Sequence, residues 1–278
     1  MKTWFITGIS RGLGRALAKA ALAQGDSVIG TTRSGTVDLA AGPGTLRVMA
    51  LDLADGAGIA ASVERAFVEA GKIDVIVNNA GYGLLGAVEK ATDDEARGLF
   101  DIDVFGPFRV IRAALPHLRA QGSGHIVNIT SIAGRAPVAG AGLYSAAKYA
   151  LEGLSASLAL EVRPLGLKVT VVAPGAFRTD FLSAHSLRKS EGEDEVYSAS
   201  VGRSLAALDA MAGRQLGDPE RAAAAILAAV RADNPPLHLL LGTDALRRAR
   251  EKLDAIIEEI DRWEDVTRST DFPALVPA

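Results

Sequence analysis

The 278-residue sequence predicts a doubly wound α/β domain, a parallel sheet with helices on both faces. Three observations carry that expectation. Strand-length apolar runs alternate with helix-length segments through most of the chain, as in successive βα units with right-handed crossovers. The strand runs are apolar throughout rather than alternating, so both of their faces are covered. The turns after Thr7, Thr32, Val77, Thr130 and Ala173 all follow strands, at the sheet edge where such folds bind ligands.

Each element follows from local pattern. Trp4 to Thr7 is a short buried strand leading into a glycine-rich turn. A helix runs from Gly12 to Gly25, with Ala16, Leu17, Ala20, Ala21 and Ala23 packing close and Gly25 as its stop. Strands follow at 28–32 and 46–51, then a helix near 58–69 and a strand at 75–77. A long helical stretch covers 93–119, with a fifth strand at 125–129, a helix at 144–163 and a sixth strand at 168–173. Asp218-Pro219-Glu220 opens a further helix with a cap and a first-turn proline. Residues 237–241 form a seventh strand, and an amphipathic helix at 244–263 reads as a packing or subunit-contact element. Residues 243–278 form the C-terminal helix and tail. No repeat or low-complexity linker interrupts the pattern, so residues 1–278 read as one domain.

Composition narrows the class. With 49% hydrophobic and 23% charged residues, the chain resembles an ordinary globular protein large enough to need no disulfide or metal staple. It contains no cysteine, which excludes disulfides and thiolate metal sites and fits a reducing compartment. A net charge of −3 argues against nucleic acid or an anionic membrane as partner. The apolar run at 4–7 is too short for a signal peptide, and no stretch is long enough to span a bilayer. The expectation is a soluble, cytoplasmic protein without a metal.

Tyr144 and Lys148 stand four residues apart, so on a helix their side chains share a face. A cation beside a phenol favours its ionised form, and a phenol tuned downward exchanges protons near neutral pH. The pair alone arises by chance on many helices. The turn Thr7-Gly8-Ile9-Ser10-Arg11-Gly12-Leu13-Gly14 gives it meaning, because it lies between a strand and a helix. Glycines there let the backbone approach a pyrophosphate while the helix directs unpaired N–H groups at it. A tight turn without ligand is the plainer alternative.

The end of the second strand separates the two nicotinamide cofactors. It reads Thr31-Thr32-Arg33, with no carboxylate to repel a ribose 2′-phosphate, and Arg11 lies in the glycine turn. Both guanidinium groups suit one phosphate, which favours NADP(H) over NAD unless Arg33 is simply a surface cation. Asp52-Leu53 end the third strand where a carboxylate can accept from an adenine amino group. Residues 178–216 are polar and carry the charged run 188–195. They read either as a solvated excursion or as a substrate lid, and their place after a site-forming strand favours the lid.

Together these features resemble the short-chain dehydrogenase/reductase family, in its single-domain branch. The resemblance runs from about residue 3 to 180, with looser similarity to about 240. It rests on Thr7-Gly8…Gly12-x-Gly14, Asn78-Asn79-Ala80-Gly81, Ser131, Tyr144-x-x-x-Lys148, and Pro174-Gly175 followed by Thr179. It implies a Rossmann-type sheet of about seven strands in the order 3-2-1-4-5-6-7. It also implies an oxidoreductase of a carbonyl/alcohol pair: Tyr144 moves the proton, Ser131 orients the carbonyl, and Lys148 bonds the nicotinamide ribose and lowers the phenol pKa. By the same resemblance Gly8, Ser10, Arg11, Gly12, Leu13, Gly14, Thr32, Arg33, Asp52, Leu53, Asn79, Ala80, Gly81, Tyr144, Lys148, Pro174, Gly175 and Thr179 border the cofactor. Substrate-wall positions follow the motifs: Tyr82 and Leu84, Ile132 and Val138, and Phe177. Their apolar character favours an aliphatic, aromatic, acyl or steroid-like substrate. Family members commonly form dimers or tetramers through helices matching 93–119 and 144–163.

One position departs from the pattern. In Asp101-Ile102-Asp103-Val104-Phe105-Gly106, Asp103 occupies the place of an asparagine that completes a proton relay. Aspartate accepts the same hydrogen bonds but lacks the amide donors. Activity is expected to survive, since Ser131, Tyr144 and Lys148 are present. The contrasting expectations are a cofactor-binding regulator with lost or weak turnover, and a racemase or dehydratase with a tightly retained cofactor.

Overall fold

The computed structural model of the chain describes residues 1–183, 185–190 and 195–272. Seven parallel strands form the central sheet: β1 (Thr3–Thr7), β2 (Ser27–Thr32), β3 (Thr45–Ala50), β4 (Val75–Asn78), β6 (Gly124–Ile129), β7 (Leu167–Pro174) and β9 (His238–Leu241). Their order is β3-β2-β1-β4-β6-β7-β9, which is the expected 3-2-1-4-5-6-7 once two short strands outside the sheet are set aside. Those two, β5 (Gly83–Leu85) and β8 (Leu187–Lys189), pair with each other. Three-residue strands leave too few positions for a periodicity, which is why the sequence pattern missed them.

Side chains alternate across the sheet and split the core in two. Trp4 and Ile6 face a cluster containing Leu17 of α1 (Gly12–Ala23) and Ile226 of α7 (Pro219–Arg231). Phe5 and Ile76 face the opposite cluster, with Ile59 of α2 (Gly56–Ala70), Val110 of α4 (Gly106–Gln121) and Leu158 of α5 (Gly142–Val162). Asp55 and Asp218 cap α2 and α7, each accepting from two backbone N–H groups of the first turn. The pairing of all seven strands in parallel puts every strand's C-terminal end at one edge.

The expected long helix over 93–119 is interrupted. α3 (Asp93–Phe100) gives way to one π-helical turn at Asp101–Phe105 before α4 begins. Pro107 has no N–H to return to the carbonyl of residue 103, and the Gly106 N–H instead reaches Asp101 O, one residue further back. The wider turn carries Asp103, 1% exposed, toward the site.

Residues 178–216 carry short elements of their own among the described residues. They hold β8 and α6 (Arg203–Met211), with β8 fixed on β5: Gly83 N donates to Ser186 O at 2.8 Å and Ser190 N to Leu85 O at 2.7 Å. Residues 191–194 of the charged run lie outside the described residues. Two final helices, α8 (Thr243–Arg262) and α9 (Glu264–Arg268), follow β9. No helix among the described residues is long and apolar enough to cross a membrane, and none of their acidic and histidine side chains group as a metal site.

Candidate active site

The glycine turn is held by its neighbours rather than by its own side chains. Gly8 and Gly12 have φ of 74° and 57°, left-handed values that only glycine adopts freely. A Cβ on Gly8 would lie 2.8 Å from Ala80 Cβ, and one on Gly14 would overlap the Asn79 amide and Gly8 O. The Asn79 amide donates to Thr7 O at 2.9 Å and Gly8 O at 3.0 Å, while Thr7 Oγ1 accepts from the Asn79 and Ala80 N–H groups. Deeper, the Asn78 amide donates to Asn128 and the Asn128 amide to Ser155, tying β4 to β6 and α5. Arg11 at the N-cap of α1 supplies no capping hydrogen bond, so the helix presents its first N–H groups outward. That cradle, with no room for side chains and free donors, suits a pyrophosphate.

Around it the structure sorts the sequence candidates. Ser10 is exposed on the turn, and Leu13 packs on the core behind it. Arg33 is exposed at the end of β2, with no ion-pair partner among the described residues, while Thr32 is buried and donates to Thr36 O. Arg11 does not stand open beside it: its guanidinium donates to His185 O at 3.2 Å, across to the 178–216 segment. Asp52 is exposed and accepts from Ala54 N at 3.0 Å, whereas the Leu53 side chain is buried against the α2 and α4 core. Thr179 lies across the turn from Gly12 and caps the short Asp180–Leu182 turn, accepting from Phe181 N. Pro174 ends β7, and Gly175 donates to Leu241 O against the Asp244 carboxylate, which leaves no space for a side chain there.

Ser131, Tyr144, Lys148 and Asp103 converge at the end of β6. Ser131 Oγ accepts from Ala133 N at 3.1 Å, and its hydroxyl favours the ionised form of the Tyr144 phenol. Lys148 Nζ stands 5.6 Å from the Tyr144 ring centroid and 2.9 Å from Asp103 Oδ2. Asp103 Oδ1 accepts from Tyr82 N at 3.0 Å, and Gly81 packs so close to the carboxylate that a Cβ would sit 2.9 Å from it. All three of Tyr144, Lys148 and Asp103 are buried.

Lys148 lowers the Tyr144 phenol pKa as expected, but the rest of the site outweighs it. Burial pushes the Tyr144 phenol above its ordinary pKa and the Asp103 carboxylate adds to that rise; Lys148 and the Ser131 hydroxyl pull the other way without reversing it. Lys148 therefore does not bring the phenol below its usual range in this arrangement. Burial disfavours the Lys148 charge, but Asp103 and Tyr144 outweigh it and hold the ammonium protonated. Burial also raises Asp103, against the pull of Lys148 and the Tyr82 N–H.

The apolar wall around Tyr144 differs in part from the expected one. Tyr82, Leu84, Leu99, Ala133 and Phe181 pack with it, and the Phe181 ring lies 6.0 Å from the Tyr144 ring at 44°. Phe177 does not face this wall. Its ring covers Gly217 and packs on the α1 and α7 side of the core, because β7 has already handed the chain to the outer layer there. Ile132 is likewise turned away, onto Ala245 and Ala249 of α8, and Val138 is 40% exposed on the following loop. Phe181 and Arg188, whose guanidinium stacks 4.3 Å over the Tyr82 ring, are the residues the sequence pattern missed.

The comparisons with known proteins agree with this geometry. The sequence profile of the short chain dehydrogenase family matches residues 2–190. The chain belongs to that family. As a short-chain dehydrogenase it is an oxidoreductase, and it is 38% identical over 270 residues to oxidoreductase BOA17 of Botryotinia fuckeliana, covering 96% of this chain and 98% of that one. A crystal structure of a short-chain dehydrogenase from Streptomyces avermitilis superposes with a TM-score of 0.91 at 44% identity, over 98% of this chain and 100% of that one. A metagenomic short-chain oxidoreductase solved in complex with NADP superposes with a TM-score of 0.65 at 27% identity, over 86% and 96%. Within the short-chain dehydrogenase frame, the π turn that delivers Asp103 is the feature of this site that motif spacing did not foretell.

Proposed function

We propose that this short-chain dehydrogenase uses NADP(H) to interconvert a carbonyl and a secondary alcohol, with Tyr144 as general acid and base. The observation that carries the proposal is the burial of Tyr144 and Lys148 in cation–ring contact, with the half-buried Ser131 hydroxyl acting on the same phenol, at the strand edge that also holds the glycine turn. The nicotinamide supplies or accepts the hydride when bound. Gly8, Gly12, Gly14 and the uncapped start of α1 would hold its pyrophosphate, with Asn79 keeping the turn in shape. The preference for NADP(H) rests on exposed, unpaired Arg33 and the lack of a carboxylate at the end of β2, and on the NADP found in the metagenomic relative.

The protein's own groups divide the work. In reduction the Tyr144 hydroxyl gives its proton to the carbonyl oxygen, which Ser131 also contacts, and the phenolate left behind is stabilised by Lys148. In oxidation the phenolate removes the alcohol proton. Because burial raises the phenol pKa, the protonated donor is the resting form, which suits reduction at neutral pH. The apolar wall of Tyr82, Leu84 and Phe181 selects an apolar body on the substrate.

The Lys148–Asp103 pair favours a second function, a cofactor-responsive regulator, since it offsets the cation that Tyr144 needs. A panel of ketones and secondary alcohols, followed by nicotinamide absorbance with both cofactors, separates the two. Turnover that Tyr144→Phe lowers by about 10²–10⁴-fold, with NADPH binding retained, supports the oxidoreductase. Cofactor binding without turnover on any member of the panel supports the regulator.

A further inference from the structure

α8 leaves the body of the domain after its first turns. Ala245 and Ala249 are buried against Ile132 and Ala136, but every described residue from Leu253 to Phe272 is exposed. The projecting helix is not polar all round. Leu246, Leu253, Ile256, Ile257, Ile260 and Trp263 are 41%, 58%, 36%, 54%, 61% and 56% exposed, at spacings of three, four and seven that place them on one face. A stripe of this kind in water marks a surface that another protein covers.

Charge identifies the cover. Between Arg247 and Lys252 stand four basic residues and one acid; between Asp254 and Asp265 stand six acids and one base, Arg262. Arg247 pairs with Glu251 within the helix at 2.9 Å, yet Arg250, Lys252, Glu258, Glu259 and Asp261 have no ion-pair partner among the described residues. We propose that α8 of a second copy of this chain covers the stripe, running antiparallel about a twofold axis near Leu253 and Ile256. A twofold axis makes the contact self-complementary, so the basic half of each helix lies along the acidic half of the other, twice. Leu253 then meets Ile256 of the other protomer, Leu246 meets Trp263, and Lys252 flanks Glu259. Parallel pairing would set base on base and acid on acid, and an anionic membrane would repel the acidic half. The surface is independent of the proposed chemistry and lies apart from helices α4 and α5, through which the family resemblance implies assembly.

Light scattering on the full chain after size exclusion tests this. The expected result is a dimer, or a larger even assembly. Lys252→Glu raises the dissociation constant of that contact about tenfold, and Lys252→Glu with Glu259→Lys restores it, with unchanged circular dichroism because neither side chain belongs to the core. Since the chain has no cysteine, engineered ones report the direction of pairing. Mixed Leu246→Cys and Trp263→Cys proteins cross-link on oxidation, whereas Leu246→Cys alone does not. Two copies of residue 246 would lie roughly 26 Å apart along the antiparallel pair at about 1.5 Å rise per residue. A monomer at tens of micromolar, an assembly indifferent to the charge reversal, or self-cross-linking of Leu246→Cys overturns the proposal.

Discussion

The Lys148 ammonium lies 2.9 Å from Asp103 in a site where both side chains are almost wholly buried. A lone buried charge is costly, so each member of the pair is held by the other. The consequence falls on Tyr144. Lys148 stabilises its phenolate and Asp103 destabilises it, so the acidity of the proton donor is set by a balance of two opposite charges rather than by the cation alone.

Asp103→Asn removes the opposing charge while an amide oxygen can still accept from the Tyr82 N–H. The Tyr144 phenol then ionises at lower pH. Alcohol oxidation uses the phenolate, so its rate rises with pH through that ionisation, and the rise moves toward lower pH in the variant. Turnover itself stays within about tenfold of native, because Ser131, Tyr144 and Lys148 remain. A pH profile of kcat/KM for oxidation checks both points. A midpoint that stays or moves upward, or a native enzyme that is dead until asparagine is installed, defeats the argument.

Arg33 is free to meet a 2′-phosphate, and Arg11 is committed to His185 O. Arg33→Asp is therefore expected to raise KM for NADPH by about 10–100-fold, the worth of one charge-assisted hydrogen bond of roughly 1.5–3 kcal/mol. KM for NADH should change little or fall. Steady-state kinetics with both cofactors decides it; equal losses for the two would assign Arg33 a structural role.

The sheet order was legible because strand runs, helix lengths and the glycine turn all obey rules that act within a few residues of chain. Tyr144 and Lys148 were legible for the same reason, as one helical face. The direction of the Tyr144 shift was not, since it depends on burial and on Asp103, forty-one residues away in sequence and delivered by a π turn. Phe177 and Phe181 show the limit most plainly. Both follow Pro174 in an irregular segment without periodicity, and only the pairing of β8 on β5 decides which ring reaches Tyr144. Sequence spacing cannot separate two phenylalanines four apart when no helix joins them.

Phe181→Ala should raise KM for bulky apolar substrates about tenfold, by removing one wall of the Tyr144 cluster, and leave KM for NADPH within about twofold. Phe177→Ala should do the reverse. It opens a gap beside Gly217 and the α7 side of the core, lowering stability by about 2–4 kcal/mol with substrate preference unchanged. Thermal melts and a substrate series on the two variants test the assignment; a selectivity change in Phe177→Ala alone would reverse it.

His125 gives the fold its own pH dependence, away from the site. Its Nε2 lies 2.8 Å from Thr170 Oγ1, whose hydrogen goes to Pro236 O at 2.8 Å, so Nε2 carries a proton and donates. Nδ1 is buried without a partner, which leaves the imidazole neutral. Burial chiefly, then Lys168 and Lys2, lower its pKa from 6.5 to about 4. The unfolded chain thus binds a proton below about pH 6.5 that the folded chain refuses until about pH 4. Stability falls as pH drops through that window, by roughly 3 kcal/mol in all, with no contribution from this group above it and no further loss below it. His125→Asn keeps a donor for Thr170 and has nothing to titrate, so urea midpoints of the variant should lose this part of the slope between pH 6.5 and 4. The native protein starts higher at pH 7.5 and the two curves converge toward pH 4. Parallel curves across the window would show that another group controls the acid limb.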